Sequence, residues 1–212
     1  MNIKANITNI LLDLDEKVQL VAVSKTKPTN YIFEAYQAGQ RIFGENKVQE
    51  LIEKSANLPD DIQWHMIGHL QTNKVKYIAP FVSLIHSVDS KKLLIEIDKR
   101  AKQHERVIHC LLQIHIAQET SKFGLSENEA LELLEIKLAN VSIDGLMGMA
   151  TFTDNKQQIR SEFKSLKNTF EKAKRKFHEL SILSMGMSGD YDIAIEEGSN
   201  MIRVGSSIFG SR

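Results

Sequence analysis

Residues 19–68 read QLVAVSKTKPTNYIFEAYQAGQRIFGENKVQELIEKSANLPDDIQWHMIG. Three short apolar runs, at 19–24, 41–44 and 63–68, are separated by stretches of helical periodicity at 30–38 and 47–56. Strands that alternate with helices, with no tight turn joining strand to strand, imply a parallel sheet. The unit repeats along the chain. Further candidate strands lie at 84–88, 108–116, 143–149, 182–187 and 201–204, and helices at 72–78, 91–105, 127–138, 157–177 and 191–197. Eight such repeats fit a closed (β/α)₈ TIM barrel. The runner-up, an open flavodoxin-like sheet, normally has fewer strands.

Two features qualify the barrel. The chain ends soon after the eighth strand, at Phe209-Gly210-Ser211-Arg212, which leaves too few residues for a full eighth helix. Before the first strand, residues 3–15 carry Ile3, Ile7, Ile10, Leu11 and Leu14 on one helical face. This leading helix is expected to cover the wall that a last helix would have covered. Only 3 prolines and no Gly/Ser-rich linker interrupt the chain, so residues 1–212 are expected to form a single domain.

Lys plus Arg and Asp plus Glu both total 27, a formal net charge of zero. That argues against nucleic acid or an anionic membrane surface as partner. The basic run at 172–176 is read as a solvated helix face, because Phe163, Leu166, Phe170, Ala173 and Phe177 form an apolar stripe beneath it. Cys110 is the only cysteine, so no internal disulfide is possible and a reducing compartment is the simplest expectation. The first residues lack a signal-peptide pattern and no apolar run approaches a membrane span. A cytoplasmic protein, monomeric in view of its neutral charge, is expected.

In a barrel, chemistry belongs at the C-terminal ends of the strands. Lys25 and Lys27 follow the first strand, Gly44, Glu45 and Asn46 the second, and Gly68 and His69 the third. Partial desolvation at this rim would favour a neutral amine able to attack an aldehyde, but most strand-end lysines are solvated, and position alone favours that plainer reading. The loops after strands seven and eight contain Ser188-Gly189 and Gly205-Ser206-Ser207. Small residues there let backbone N–H groups approach a phosphate, and Ser188-Gly189 is read as opening a helix. Arg203 should share the face of Gly205 and point into the mouth. A structural reading pairs it with Asp190, Asp192, Glu196 or Glu197; a functional one has it donate to an aromatic ring nitrogen. Gln113 and His115 should also point inward. The seven histidines form no convincing metal set.

The ordered set VAVSKTKP (21–28), FGENKVQE (43–50), WHMIGHLQTNK (64–74), HSVDS (86–90), TSKFGL (120–125), GLMGMAT (145–151), GMSGDYDIAI (186–195) and IRVGSSIFG (202–210) resembles the pyridoxal-phosphate homeostasis protein family. These proteins are single-domain relatives of the alanine racemase barrel. The resemblance implies an alanine-racemase N-terminal-domain-like fold and pyridoxal 5′-phosphate (PLP) held as a Schiff base on Lys25. It implies that Asn46 lines the pocket, that Arg203 meets the pyridine nitrogen, and that Ser188, Gly205 and Ser206 hold the phosphate. Lys27 and Lys122 match further lysines of the pattern, with an implied secondary role in cofactor exchange. Asn200 and Ser206 stand where the family often has threonine.

Three functions are compatible with such a site. A PLP carrier in intracellular homeostasis, without turnover and with transient contact to PLP-dependent apoenzymes, is preferred. A PLP-dependent racemase needs a second base, which the racemases resembled here take from a second domain for which this chain has no residues. An arginine at the ring nitrogen would also give a weaker electron sink than an aspartate. A barrel aldolase acting through Lys25 on a sugar phosphate fits the loop glycines but not Arg203 or the motif order.

Overall fold

The alternation of runs folds as it reads. The structure, a computed structural model, describes residues 2–118 and 123–210. In chain order the elements are α1 (Ile3–Asp13), β1 (Gln19–Val23), α2 (Thr29–Gln37), β2 (Ile42–Glu45), α3 (Val48–Asn57), β3 (Gln63–Met66), α4 (Val75–Ile78), β4 (Leu84–Val88), α5 (Lys91–Gln103), β5 (Ile108–Gln113), α6 (Glu127–Leu134), β6 (Val141–Met147), α7 (Lys156–Lys174), β7 (Ile182–Met187), α8 (Tyr191–Glu196), β8 (Met201–Val204) and α9 (Ser206–Phe209). Each strand pairs in parallel with the next, and β8 pairs with β1 to close the barrel. The closing register sets Val21 opposite Arg203 and Ala22 opposite Val204.

Strand alternation divides the apolar residues into two buried clusters. Val21, Leu84, Leu111, Met147 and Met201 come from strands on opposite sides of the ring yet pack together, so they fill the barrel interior. Leu20, Ala22, Phe43, Cys110 and Leu112 point the other way and pack with the helices in the larger cluster. The stripe on α7 is likewise buried at Phe163, Leu166, Phe170 and Ala173. The lysines of the basic run lie on the outside of that helix, Lys172 paired with Glu127 and Lys176 with Glu135.

The leading helix fills the expected gap. α1 packs against α2 on one side and the short α9 on the other, and the Asn6 amide donates to the Ile208 carbonyl at 2.9 Å. Ile3, Ile7 and Ile10 are buried, but Leu11 is 44% exposed. The five-residue face expected from the sequence is thus too wide. Leu14, just past the helix, still packs against the core, so Leu11 alone of the five is left outside. β5 is also shorter than its apolar alternation suggests: its ladder stops at Gln113, where Leu125 returns and its N–H donates to the Gln113 carbonyl. The loop after β7 does not start a helix at Ser188; α8 begins at Tyr191, with Asp190 as its N-cap.

Candidate functional site

β1 ends at Val23, and residues 24–28 turn outward into α2. Lys25 sits in this turn, half-buried, and among the described residues its side chain has no hydrogen-bond or ion-pair partner. Its two neighbours are held tightly. The Ser24 hydroxyl donates to Glu45 Oε1 at 2.6 Å, and the Ser24 carbonyl accepts from Lys54 Nζ at 2.9 Å. The Thr26 N–H donates to Glu50 Oε2 at 2.7 Å. Thr26 lies at φ 64°, a left-handed conformation that costs a β-branched residue on the order of 1–3 kcal/mol. Lys54 joins the parts, donating also to Glu45 Oε1 at 2.7 Å and Glu50 Oε2 at 3.1 Å. Burial raises the Glu45 carboxyl above its ordinary value, against the pull of Lys54 and Ser24. Burial acts on Glu50 in the same sense, but the Thr26 amide and Lys54 prevail and its carboxyl lies below the usual range.

Arg203, on β8, is 4% exposed and points into the barrel. Its guanidinium donates to Ser184 Oγ at 2.6 Å and to the Gly148 carbonyl at 3.0 Å. Both acceptors are neutral. None of the acidic side chains proposed as partners takes it: Glu196 and Glu197 bind Arg160 instead. Asp190 acts on it electrostatically, opposing the burial that pushes its pKa down to about 10.

From Arg203 a buried chain of polar groups runs across the interior. Ser184 Oγ lies 3.2 Å from His86 Nδ1, and His86 Nε2 lies 3.0 Å from His65 Nδ1. Arginine can only donate, so it fixes the first bond, and the arrangement that leaves the Ser184 proton paired sets the direction of the others. Ser184 accepts from Arg203 and gives its one proton to His86 Nδ1. His86 is therefore the Nε2–H tautomer and donates to His65 Nδ1, which makes His65 Nε2–H as well. Burial holds both imidazoles neutral, His65 down to about 3 and His86 well below its ordinary value, with His65 and Arg203 adding to the effect on His86.

The loops after β7 and β8 meet as expected. Ser188 Oγ accepts from the Gly205 N–H at 3.1 Å, and Ser206, exposed, is the first residue of α9. A Cβ on Gly205 would come 3.1 Å from the Val23 carbonyl, so only a bare backbone fits comfortably beside the first strand. Asn46, half-buried, follows β2, and a Cβ on Gly68 would lie 2.3 Å from the Asn46 carbonyl. The glycine therefore lets the third loop close onto the second. Lys25, Asn46, Ser188, Arg203, Gly205 and Ser206 all fall at the C-terminal ends of β7, β8, β1 and β2, four strands that are neighbours around the ring.

Other candidates fall elsewhere. Gln113 gives its amide to the Phe123 carbonyl at 2.8 Å, a structural tie. His69 stands on the rim, bonded to Asp89 and stacked on Phe123 with ring centroids 4.2 Å apart. Lys122 lies outside the described residues. Asn200 ties β7 to β8, accepting from the Leu183 N–H and donating to the Ser181 carbonyl. Among the described residues no group of three metal-ligating side chains converges. Sequence reasoning placed Glu45 at the end of the second strand without giving it a role, and missed Glu50, Lys54, His65, His86 and Ser184 as members of the site. Glu45 and Glu50 stand inside the quoted FGENKVQE run, and Lys54 follows Glu50 at i+4; that spacing was the available signal.

The profile of the family described as alanine racemase, N-terminal domain, matches residues 1–212. Two curated relatives are named pyridoxal phosphate homeostasis protein. The one from Aquifex aeolicus is 41% identical over 198 residues, covering 92% of this chain and 87% of its own. The one from Vibrio alginolyticus is 42% identical over 205 residues, covering 93% and 88%. The chain belongs to the pyridoxal phosphate homeostasis branch of the alanine racemase N-terminal domain family. A solved structure, that of PipY of Synechococcus elongatus PCC7942 with PLP bound, matches with a TM-score of 0.90 at 35% identity over 98% of this chain and 100% of its own. An alanine racemase from Clostridium difficile 630 shares the fold, with a TM-score of 0.80 at 15% identity, and this chain covers 60% of it.

Proposed function

We propose that this barrel holds PLP at its C-terminal mouth as a Schiff base on Lys25 and serves intracellular PLP homeostasis without turnover. The observation that carries the reading is the grouping across the β8–β1 seam. Among the described residues the Lys25 side chain is uncommitted, Arg203 is buried against neutral acceptors only, and Ser188 and Gly205 meet where a side chain on Gly205 would crowd the Val23 carbonyl. When bound, PLP supplies an aldehyde that condenses reversibly with an amine and a ring that withdraws electrons. Lys25 provides the amine. Arg203 donates to the pyridine nitrogen and, because it cannot accept a proton back, keeps that nitrogen unprotonated. Ser188, Gly205 and Ser206 would hold the phosphate through hydroxyl and backbone N–H groups, and Asn46 would help line the pocket.

An unprotonated ring nitrogen is a weak electron sink, which favours storage over chemistry at a substrate carbon. The curated relatives named for PLP homeostasis support the same reading. With it come residues 1–212 as one PLP-binding domain, a monomer, a cytoplasmic location, and only transient contact with PLP-dependent apoenzymes. Among the described residues no helix is long and apolar enough to cross a membrane.

The test is the visible absorption spectrum of wild type and Lys25→Ala, each with added PLP, before and after borohydride. The expected result is a band in wild type that borohydride bleaches and that Lys25→Ala lacks. A wild type that stays colourless with PLP overturns the reading. Turnover of any of a panel of amino acids would replace the carrier with a PLP enzyme.

A further inference from the structure

The cluster behind Lys25 is poorly explained as a source of stability. Lys54 and Glu45 have side chains 7% and 0% exposed, and removing such charges from water offsets most of their attraction. Glu45 Oε2 is itself buried without a hydrogen-bond partner. What the cluster does satisfy is the backbone and side chain of the residues on either side of Lys25. One carboxylate takes the Ser24 hydroxyl and the other the Thr26 N–H, while the ammonium takes the Ser24 carbonyl. The three donors of Lys54 are spent on Ser24, Glu45 and Glu50, so it is a strut and not a second reactive amine.

We propose that Glu45, Glu50 and Lys54 are positioning residues for Lys25. They hold the turn on both sides of it, keep Thr26 at φ 64°, and leave the Lys25 amine without a bond of its own among the described residues. The inference rests on the reading that Lys25 carries PLP. Its sharpest link is the Glu50–Thr26 bond, since a threonine does not enter the left-handed region without an external hold. Glu50 is also the most accessible member, with a side chain 23% exposed, so truncating it disturbs the buried interior less than truncating Glu45 or Lys54 would.

The experiment uses the full chain without PLP, then with PLP added. In wild type the Thr26 amide is expected to be protected from hydrogen exchange; a freely exchanging Thr26 amide overturns the inference without any variant. In Glu50→Ala that amide should exchange at least about tenfold faster, and the borohydride-sensitive band should form at least about tenfold more slowly, the equivalent of ~1.4 kcal/mol. Glu50→Gln, which keeps an oxygen for the amide, should lose much less. Thr26→Gly in the Glu50→Ala background should recover part of the rate, because glycine takes this φ without penalty. A Glu50→Ala rate within about twofold of wild type, or a glycine that recovers nothing, overturns the inference. If wild type itself forms no band, it is the assignment of PLP to Lys25 that has failed, and the inference falls with it.

Discussion

The two buried imidazoles make a residue-level prediction whose sign is set by burial. His65 has a folded-state value of about 3, and His86 also lies well below the ordinary 6.5. Unfolded, both histidines take up protons below about pH 6.5; folded, they do not. Their contribution to stability is therefore complete above the unfolded value and is lost as pH falls toward the folded one, by about 2 kcal/mol for His65 at pH 5. His65→Asn tests this cleanly. Asparagine places its Oδ1 near the position of imidazole Nδ1, so it still accepts from His86 Nε2–H but does not titrate. Urea denaturation at pH 7 and pH 5 should show wild type losing about 2 kcal/mol more than His65→Asn between the two. Equal losses would mean that His65 is protonated in the fold. At this scale, legibility divided by distance along the chain. Lys25 and Arg203 could be placed at the barrel mouth because each stands at or just past the end of a strand. The chain from Arg203 to His65 could not, because Ser184 and His86 stand 98 residues apart and only the closed ring brings them together.

At the scale of elements, the helix that stands in for a missing one carries measurable weight. Ile7 is fully buried between α2, α9 and the barrel wall, whereas Leu12, on the same helix, is 77% exposed. Ile7→Ala should cost about 2–5 kcal/mol through lost burial and the cavity left behind, while Leu12→Ala should stay within about 0.5 kcal/mol. Thermal or urea unfolding separates the two; an Ile7→Ala midpoint equal to that of Leu12→Ala would mean α1 is only loosely attached. The existence and order of all the major elements were readable, because each short apolar run is bounded by a helical stretch of clear period. Their ends were less so. Residues 114–116 continue the alternation of β5, yet the ladder stops when Leu125 arrives to pair there. Leu11 belongs to the apolar face of α1 by spacing, yet it is left outside while Leu14, just past the helix, packs against the core. Boundaries of this kind are decided by neighbours distant in sequence, and local periodicity carries no record of them.

Over the whole molecule, the candidate site and the closure of the barrel coincide. The residues assigned to PLP come from β7, β8, β1 and β2, so the ligand would bridge the seam where the last strand meets the first. That seam joins the two ends of the chain: α1 and β1 on one side, β8 and α9 on the other, tied by the Asn6–Ile208 bond and the β1–β8 ladder. A ligand bound there stabilises the folded ring by linkage. At a free PLP concentration of about 100 times Kd the gain is about 2.7 kcal/mol, which for a chain of this size raises Tm by about 5–10 °C. The rise should be accompanied by slower hydrogen exchange in β1 and β8, with little change in β4 and β5 on the far side of the ring. Lys25→Ala retains the phosphate and ring contacts but loses the covalent one, so it should keep less than half of the shift. A shift of full size in Lys25→Ala would place the stabilising contacts in the phosphate loops and Arg203 alone. Protection that rises in β4 and β5, but not at the seam, would place the ligand elsewhere in the barrel.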